Sequence, residues 1–556
     1  MNKVVFSAFA VMTAVALSAN PLKGWTPTQG HIIPKNPDAV KIAADSVTLK
    51  GIPKVNWIYF NSKGVNCGYG QKLEYTFTAS GKGSVMVGSY EYRSGFSMSA
   101  QGDKKQALTA EPKEYKIVIP VKGKDTTRAC PRITLTPGSE ITITKYNVAV
   151  IGTIVKTIVE ADHKDFLYKV GETAKFTLKV TGNGKEFKEG TAQVFLRVNG
   201  FFQNKKTSYD LAKGPVKLDV TMNEPGFTVI YLTLTDKNGK EILRNAQVGS
   251  AGFSVDQIKA GRKAPADLLT YWQGQYEKMN KEVPADFKVT KTWKTRTHKI
   301  MNVTFNNFGG TKSYCAISIP LKIKGKMPMI FTVPPAGNYG FGNFTYPNAI
   351  RVTITVFDRL FPKNSDYDKF NKPVWYFYKN RQARETYYYY KAILGMMRMM
   401  DYSMKNIPEW DGKHLAAVGR SQGGGSAFIL AALNPKIQCV AADVPALCDH
   451  NAYDVKRRAG WPQVLKTGSG IASTFHKDAE YFDAANFAAF VKCPAVVTVG
   501  FFDTMCEPAS VYAAYNNLKG EKTMINLPHY GHGWGDRAVN AFDKPTDELL
   551  KKTFAK

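Results

Sequence analysis

Cysteine is scarce in this chain, with seven in 556 residues. None is spaced as CxxC or set beside histidines in the pattern of a zinc site, so structural zinc is excluded and no metal is expected. Export would permit disulfides, though a domain this large does not need them; Cys67 and Cys130 are the only two before residue 300, so a bridge between them is conceivable. Acidic side chains are also in short supply: 45 Asp and Glu stand against 75 Lys and Arg, a formal charge of +30. Such a balance favours anionic partners. The lysines are scattered between strand-like runs, however, with no Arg-rich helix or nucleic-acid motif. Nucleic acid is excluded as a partner, and the charge reads first as a solvated surface and second as attraction to an acidic glycan.

Long hydrophobic runs are missing except at the start. Val4 to Leu17 is apolar and uncharged, preceded by Lys3 and followed by the small residues Ser18 and Ala19. About 14 apolar residues are too few to span a bilayer, and the pattern is that of a cleaved secretory signal over residues 1–19. No Cys follows the run, which argues against a lipoprotein anchor. The expectation is an exported protein, periplasmic or extracellular, without a stable membrane anchor.

What is present is globular composition, 44% hydrophobic and 12% aromatic, in a chain long enough for three or four domains. Residues 20–150 carry short alternating runs such as "KLEYTFTASGKGSVMVGSYEY" and "EITITKYNVAVI". These predict an all-β, jelly-roll-like unit. Its pattern resembles carbohydrate-binding jelly rolls, which leaves glycan binding by this unit open. Trp57, Tyr59, Tyr90 and Tyr92 could stack on a sugar, but they sit in strand-like runs and suit core packing better. Residues 151–254 predict six or seven strands, an immunoglobulin-like sandwich with a spacer role. From residue 255 to the end the pattern changes. Buried runs such as "KMPMIFTVPP", "IQCVAADVP" and "CPAVVTVGFFD" alternate with helical stretches, among them one containing Leu268, Leu269, Trp272 and Tyr276 at helical spacing. That alternation predicts an α/β domain with a mostly parallel sheet.

The chemistry centres on "GRSQGGG" at 419–425. Leu415–Val418 reads as a strand and Ser426–Leu433 as a helix. Strand, Gly-x-Ser-x-Gly and helix in succession is the setting of a nucleophile elbow. A serine hydroxyl needs a base, and in this arrangement the order is Ser, acid, His. Asp503 ends the strand-like "CPAVVTVGFFD", and only His529 and His532 follow it. His532, between two glycines, is the preferred base. Asp443, Asp449 and Asp454 come one strand too early for the acid, and His476 precedes Asp503.

Together, "GRSQGGG", "DVPALCD" at 443–449, "GFFDTMCEPASVYAAYNNLKG" at 500–520 and "PHYGHG" at 528–533 resemble the acetyl xylan esterase and cephalosporin C deacetylase family, carbohydrate esterase family seven. The resemblance runs from about residue 256 to 550. It implies an α/β-hydrolase that removes acetyl groups from carbohydrate hydroxyls, with Ser421 as nucleophile, His532 as base, Asp503 as orienting acid and no cofactor. It also implies an oxyanion hole of backbone N–H groups. Gln422 would give one. The second would come from the loop "VPPAGNYG" at 333–340, where Pro334 and Pro335 have no N–H and the donor falls to Ala336, or to Gly337 just beyond. The chain departs from the family at Gly533, where Glu usually follows the histidine, at "FDRLFP" in place of an Arg-Gly-Gln loop, and at the "VPPAG" loop itself. The family often oligomerises, and two extra N-terminal units could block or replace those contacts. Two other readings stand beside this one: a peptidase or other serine hydrolase using the same three residues, and a non-catalytic glycan-binding protein.

Overall fold

A computed structural model describes residues 26–27, 39–43, 46–51, 58–61, 64–68, 71–92, 98–123, 126, 128–135, 137–152, 155–323, 325–337, 344–360, 364–466, 475–533 and 536–555. The signal-like segment 1–19 and Trp57 lie outside these residues, as do positions 338–340 of the "VPPAGNYG" loop. Among the described residues no helix is long and apolar enough to cross a membrane.

The first 150 residues build two sheets. One runs in the order Thr26–Pro27, Ile58–Asn61, Arg128–Leu135, Ser84–Tyr92, Met98–Ala107, with Val65–Asn66 also paired to Arg128–Leu135. The other runs Val40–Ile42, Val47–Lys50, Glu140–Ile151, Lys72–Lys82, Lys113–Pro120. Period-two alternation does its expected work: Leu73, Tyr75, Phe77 and Ala79 point inward from one sheet and meet Val85, Val87, Ile133 and Leu135 from the other. Cys67 and Cys130 are both free thiols, so the bridge between them is not formed. A unit with this much apolar core has no need of one.

Two more sheets follow. Val155–Ala161, Thr173–Gly182 and Lys185–Glu186 pair in that order, with Val216–Thr221 also paired to Thr173–Gly182. The second runs Leu167–Tyr168, Glu241–Phe253, Gly226–Thr235, Thr191–Val198, Phe201–Asp210. Gly226–Thr235 is buried along nearly its whole length. A strand apolar on both faces must be covered on both, and here the second cover is the C-terminal unit. The two units share one continuous apolar core, in which Phe227 meets Phe501 edge-on at 4.9 Å and lies 5.6 Å from Tyr512. A detached spacer would present no such face.

The C-terminal unit is a nine-stranded sheet in the order Lys288–Lys294, His298–Asn306, Lys312–Pro320, Ile350–Ile354, Met327–Thr332, Trp410–Arg420, Cys439–Asp443, Ala495–Gly500, Lys522–Leu527. From Ile350–Ile354 onward the pairings are parallel. Helices Tyr388–Asn406, Gln422–Leu433 and Pro508–Asn517 lie in crossovers, while Leu268–Glu282 precedes the first strand and Asp536–Phe554 follows the last. In a parallel sheet every strand ends on the same edge, so loops from several strands gather at one rim.

Behind that rim lies a buried polar cluster of Asp449, His450 and Asp483. The Asp483 carboxylate accepts from the backbone N–H groups of Asp449, His450 and Ala485, and Arg457 reaches Asp449 at 3.1 Å. Burial pushes the His450 imidazole down to about 4, against the pull of Asp449, and pushes Asp449 up to about 6 and Asp483 up to about 7. The signs oppose one another. A depressed His binds fewer protons folded than unfolded, so its contribution is lost as pH falls from about 6.5 to 4. The raised carboxyls bind more protons folded, so their contribution is lost as pH rises from about 4 to 7. His450→Phe should therefore gain stability over the parent progressively as pH drops from 7 to 4, by on the order of 2–3 kcal/mol at the acid limit. Thermal unfolding of both proteins across that range measures it, and a pH-independent difference would contradict it.

Candidate active site

The chain leaves strand Trp410–Arg420, turns at Ser421 and enters helix Gln422–Leu433 at once. The helix starts four residues earlier than Ser426, so the glycines belong to its first turn. Ser421 holds φ 54° and ψ −120°, a region that costs a residue with a Cβ on the order of 1–3 kcal/mol. Its N–H donates to Asp443 O at 2.8 Å, and its carbonyl accepts from Gly425 N and Ala446 N. Small neighbours make the turn fit. A Cβ on Gly419 would lie 2.3 Å from the Gly423 carbonyl oxygen, and one on Gly423 would lie 2.0 Å from that of Val333.

Two further loops converge on this serine. Strand Ala495–Gly500 runs into the loop holding Asp503, which is fully buried. One carboxylate oxygen accepts from Met505 N at 2.8 Å and Cys506 N at 2.9 Å. The other is 2.8 Å from His532 Nδ1, and His532 Nε2 is 3.0 Å from Ser421 Oγ. Ser421, His532 and Asp503 thus form one hydrogen-bonded line across 111 and 29 residues of chain. The acid and histidine loops are also joined to each other: the Phe502 N–H donates to Tyr530 O at 2.9 Å, continuing the ladder between the last two strands.

The alternatives considered from sequence are occupied elsewhere. Asp443 pairs with Arg420 and accepts from Thr498, Asp449 pairs with Arg457, and Asp454 lies 2.7 Å from Arg262 and 3.0 Å from His476. His529 stands edge-on to Phe166 at 4.8 Å, where burial lowers its basicity. Ala336 is exposed on the loop after strand Met327–Thr332.

Two roles escaped sequence reasoning, that of Arg420 and that of the Gln422 side chain. Arg420, the variable position of the motif, spans the site: one guanidinium nitrogen pairs with Asp443, and another donates to the backbone oxygens of His532 at 2.9 Å and Gly533 at 3.2 Å. It ties the histidine loop to the elbow. Gln422, named from the sequence for its backbone N–H, makes side-chain contacts as well. Its amide nitrogen donates to Pro334 O at 3.0 Å, while its oxygen accepts from Tyr376 at 2.6 Å and Tyr389 at 2.7 Å. The loop opposite the serine is thereby held by the residue after it. The run "YYYY" at 387–390 was the available signal, since buried tyrosines need acceptors.

Asp503, Cys506 and His532 each bring one ligand-type atom within 4.8 Å of the others. Asp503 and His532 already share the hydrogen bond described above. Burial holds the Cys506 thiol well above its usual range, so it stays neutral and is no rival nucleophile. Serine, imidazole and carboxylate in this geometry can perform acyl transfer.

Residues 253–544 match the family model of acetyl xylan esterase, AXE1. The chain belongs to the acetyl xylan esterase family. It is a carboxylic ester hydrolase of the α/β-hydrolase type. The acetyl esterase Axe7A of Xylanibacter ruminicola is 25% identical over 411 residues, covering 68% of this chain and 87% of that one. Among solved structures, acetyl xylan esterase 1 from Thermoanaerobacterium sp. JW/SL YS485 is 20% identical with a TM-score of 0.45, covering 53% of this chain and 97% of that one. The acetyl xylan esterase from Paenibacillus sp. R4 is also 20% identical, with a TM-score of 0.44 and coverage of 54% and 98%.

For this esterase the Gln422 amide predicts a stability effect. Gln422→Met removes the donor to one buried carbonyl and the acceptor shared by two buried hydroxyls, and should destabilise by about 3 kcal/mol, whereas Tyr376→Phe should cost about 1 kcal/mol. Denaturant titration of both variants gives the comparison; equal losses would refute the shared-acceptor account.

Proposed function

We propose that this chain is an exported serine esterase that removes acetyl groups from carbohydrate, acetylated xylan or a related polysaccharide or oligosaccharide, through an acetyl-enzyme. The observation that carries the reading is the line from Asp503 through His532 to Ser421, at 2.8 and 3.0 Å, on a positive-φ elbow. With the ring proton on Nδ1 facing Asp503, Nε2 is free to accept the serine proton. Ser421 Oγ then bonds to the acetyl carbonyl carbon while its proton passes to Nε2. The oxyanion sits against backbone N–H groups, that of Gln422 at the helix N-terminus and that of Ala336 opposite. Each such donor is worth on the order of 3 kcal/mol of barrier in serine hydrolases. Collapse breaks the bond to the sugar oxygen, which takes the proton from His532. Water then repeats the cycle on the acetyl-enzyme and releases acetate.

Family membership supports the acetyl ester as substrate, and the name of the Xylanibacter relative supports the same acyl group. A peptidase would use the same three residues, so substrate separates the two readings. In this proposal residues 1–19 are a signal peptide, 20–150 a jelly-roll-like sandwich, 151–254 an immunoglobulin-like sandwich and 255–556 the esterase domain. The first sandwich is the place to look for glycan binding, tested by pull-down on insoluble xylan.

Ser421→Ala should abolish hydrolysis of an aryl acetate with folding intact, and Asp503→Asn should lower kcat by about 10⁴-fold through the wrong histidine tautomer. Acetate release from acetylated xylan, pectin, mannan and small acetyl sugars, set beside cleavage of a peptide substrate, identifies the natural class. Undiminished turnover by Ser421→Ala would end the proposal.

A further inference from the structure

The loops that carry Asp503 and His532 are covered by the second β-unit. On the acid loop, Gln247 donates from its side-chain nitrogen to the Phe502 carbonyl at 2.9 Å, one residue before Asp503 and 255 residues away in sequence. The Phe502 ring packs on Phe195, Val229 and Tyr231 of the same sheet. Four residues after Asp503, Glu507 is buried and ion-paired with Arg197, itself buried on strand Thr191–Val198. Arg458 lies 3.6 Å from the same carboxylate, and its backbone N–H donates to Asn199 O at 2.9 Å. That hairpin comes so close that a Cβ on Gly200 would fall 2.3 Å from the Arg458 Cβ. On the histidine loop, the Ser250 hydroxyl donates to Pro528 O at 2.8 Å, and Phe166 stands against His529.

The contacts to Phe502, Glu507, Pro528 and His529 fall within four residues of Asp503 or His532. Polar partners fix direction as well as distance. A buried carbonyl that loses its donor, or a buried carboxylate that loses its guanidinium, moves to find water or another partner. Loops free to do so would change the 2.8 and 3.0 Å spacings on which proton transfer depends.

We propose that the sheet containing Thr191–Val198, Gly226–Thr235 and Glu241–Phe253 is a brace for the reacting groups, and that Arg197 and Gln247 are positioning residues, acting on Asp503 through Glu507 and the Phe502 carbonyl. The inference rests on the reading of Ser421, His532 and Asp503 as the reacting groups. It makes the second β-unit part of the catalytic apparatus without contact to substrate.

The test uses the full chain, with Arg197→Met, Arg197→Lys, Gln247→Met and Ser250→Ala assayed on an aryl acetate well below each protein's Tm. Kcat should fall by about 10- to 100-fold in Arg197→Met and about 5-fold or more in Gln247→Met, with KM changed less than about 2-fold, since misplacement of reacting groups by about 1 Å costs on this order. Arg197→Lys, which keeps the charge, should recover most of the loss. If Arg197→Met does not fold, Gln247→Met and Ser250→Ala decide the matter alone. Folded variants with kcat within about 2-fold of the parent overturn the brace. So does a loss that appears in KM alone, or one that tracks Tm with no recovery in Arg197→Lys. Ser421→Ala run alongside keeps the two readings apart: if it stays active the triad assignment fails, and if it is dead while the brace variants are normal only the brace fails.

Discussion

At Ser421 the backbone is turned to φ 54° and ψ −120° between a buried strand and a buried helix, and the arrangement of the site follows from that turn. It sets the Ser421 hydroxyl 3.0 Å from His532 Nε2. It also forces the helix so near the neighbouring strand end that Gly423 has no room for a side chain. The strain is local, and the support is distributed. Asp443 O, Gly425 N and Ala446 N hold the serine backbone, and Gln422 ties the helix start to Pro334 and to two tyrosines. Arg420 completes the set by reaching the histidine loop from the strand side.

The serine is presented by one strand, and its partners by two others. A parallel sheet brings those three strand ends to one rim, but loops beyond strand ends have few ladder bonds of their own. This chain supplies the missing restraint from outside the hydrolase sheet. The second β-unit lays Gly226–Thr235 and its neighbours against the acid and histidine loops and shares an apolar core with the C-terminal unit. The first unit has a core of its own.

Legibility in the sequence followed the range of the interaction. The elbow could be read because strand, Gly-x-Ser-x-Gly and helix are contiguous. Asp503 and His532 could be placed because each follows a recognisable buried strand in chain order. Arg420 could not be read, because its role depends on where the His532 carbonyl comes to rest 112 residues later. The Gln422 amide was hidden for a similar reason: its partners at Pro334, Tyr376 and Tyr389 come from loops and a helix far apart in sequence. The conceivable bridge between Cys67 and Cys130 is not formed, and cysteine positions alone carry no distance information.

Residue order by itself determined the alternation of buried runs, the change from all-β to α/β near residue 255, and the three side chains suited to acyl transfer. These are periodic or contiguous features, and period and adjacency are what a sequence records. Tertiary structure alone decided that those three side chains lie within 3.0 Å of their partners, that Arg420 and Gln422 hold the surrounding loops, and that the second β-unit is packed against the site. Each of those facts is a contact between segments distant in the chain. Such contacts are selected by packing and hydrogen-bond satisfaction of the whole fold, which no local stretch of residues encodes.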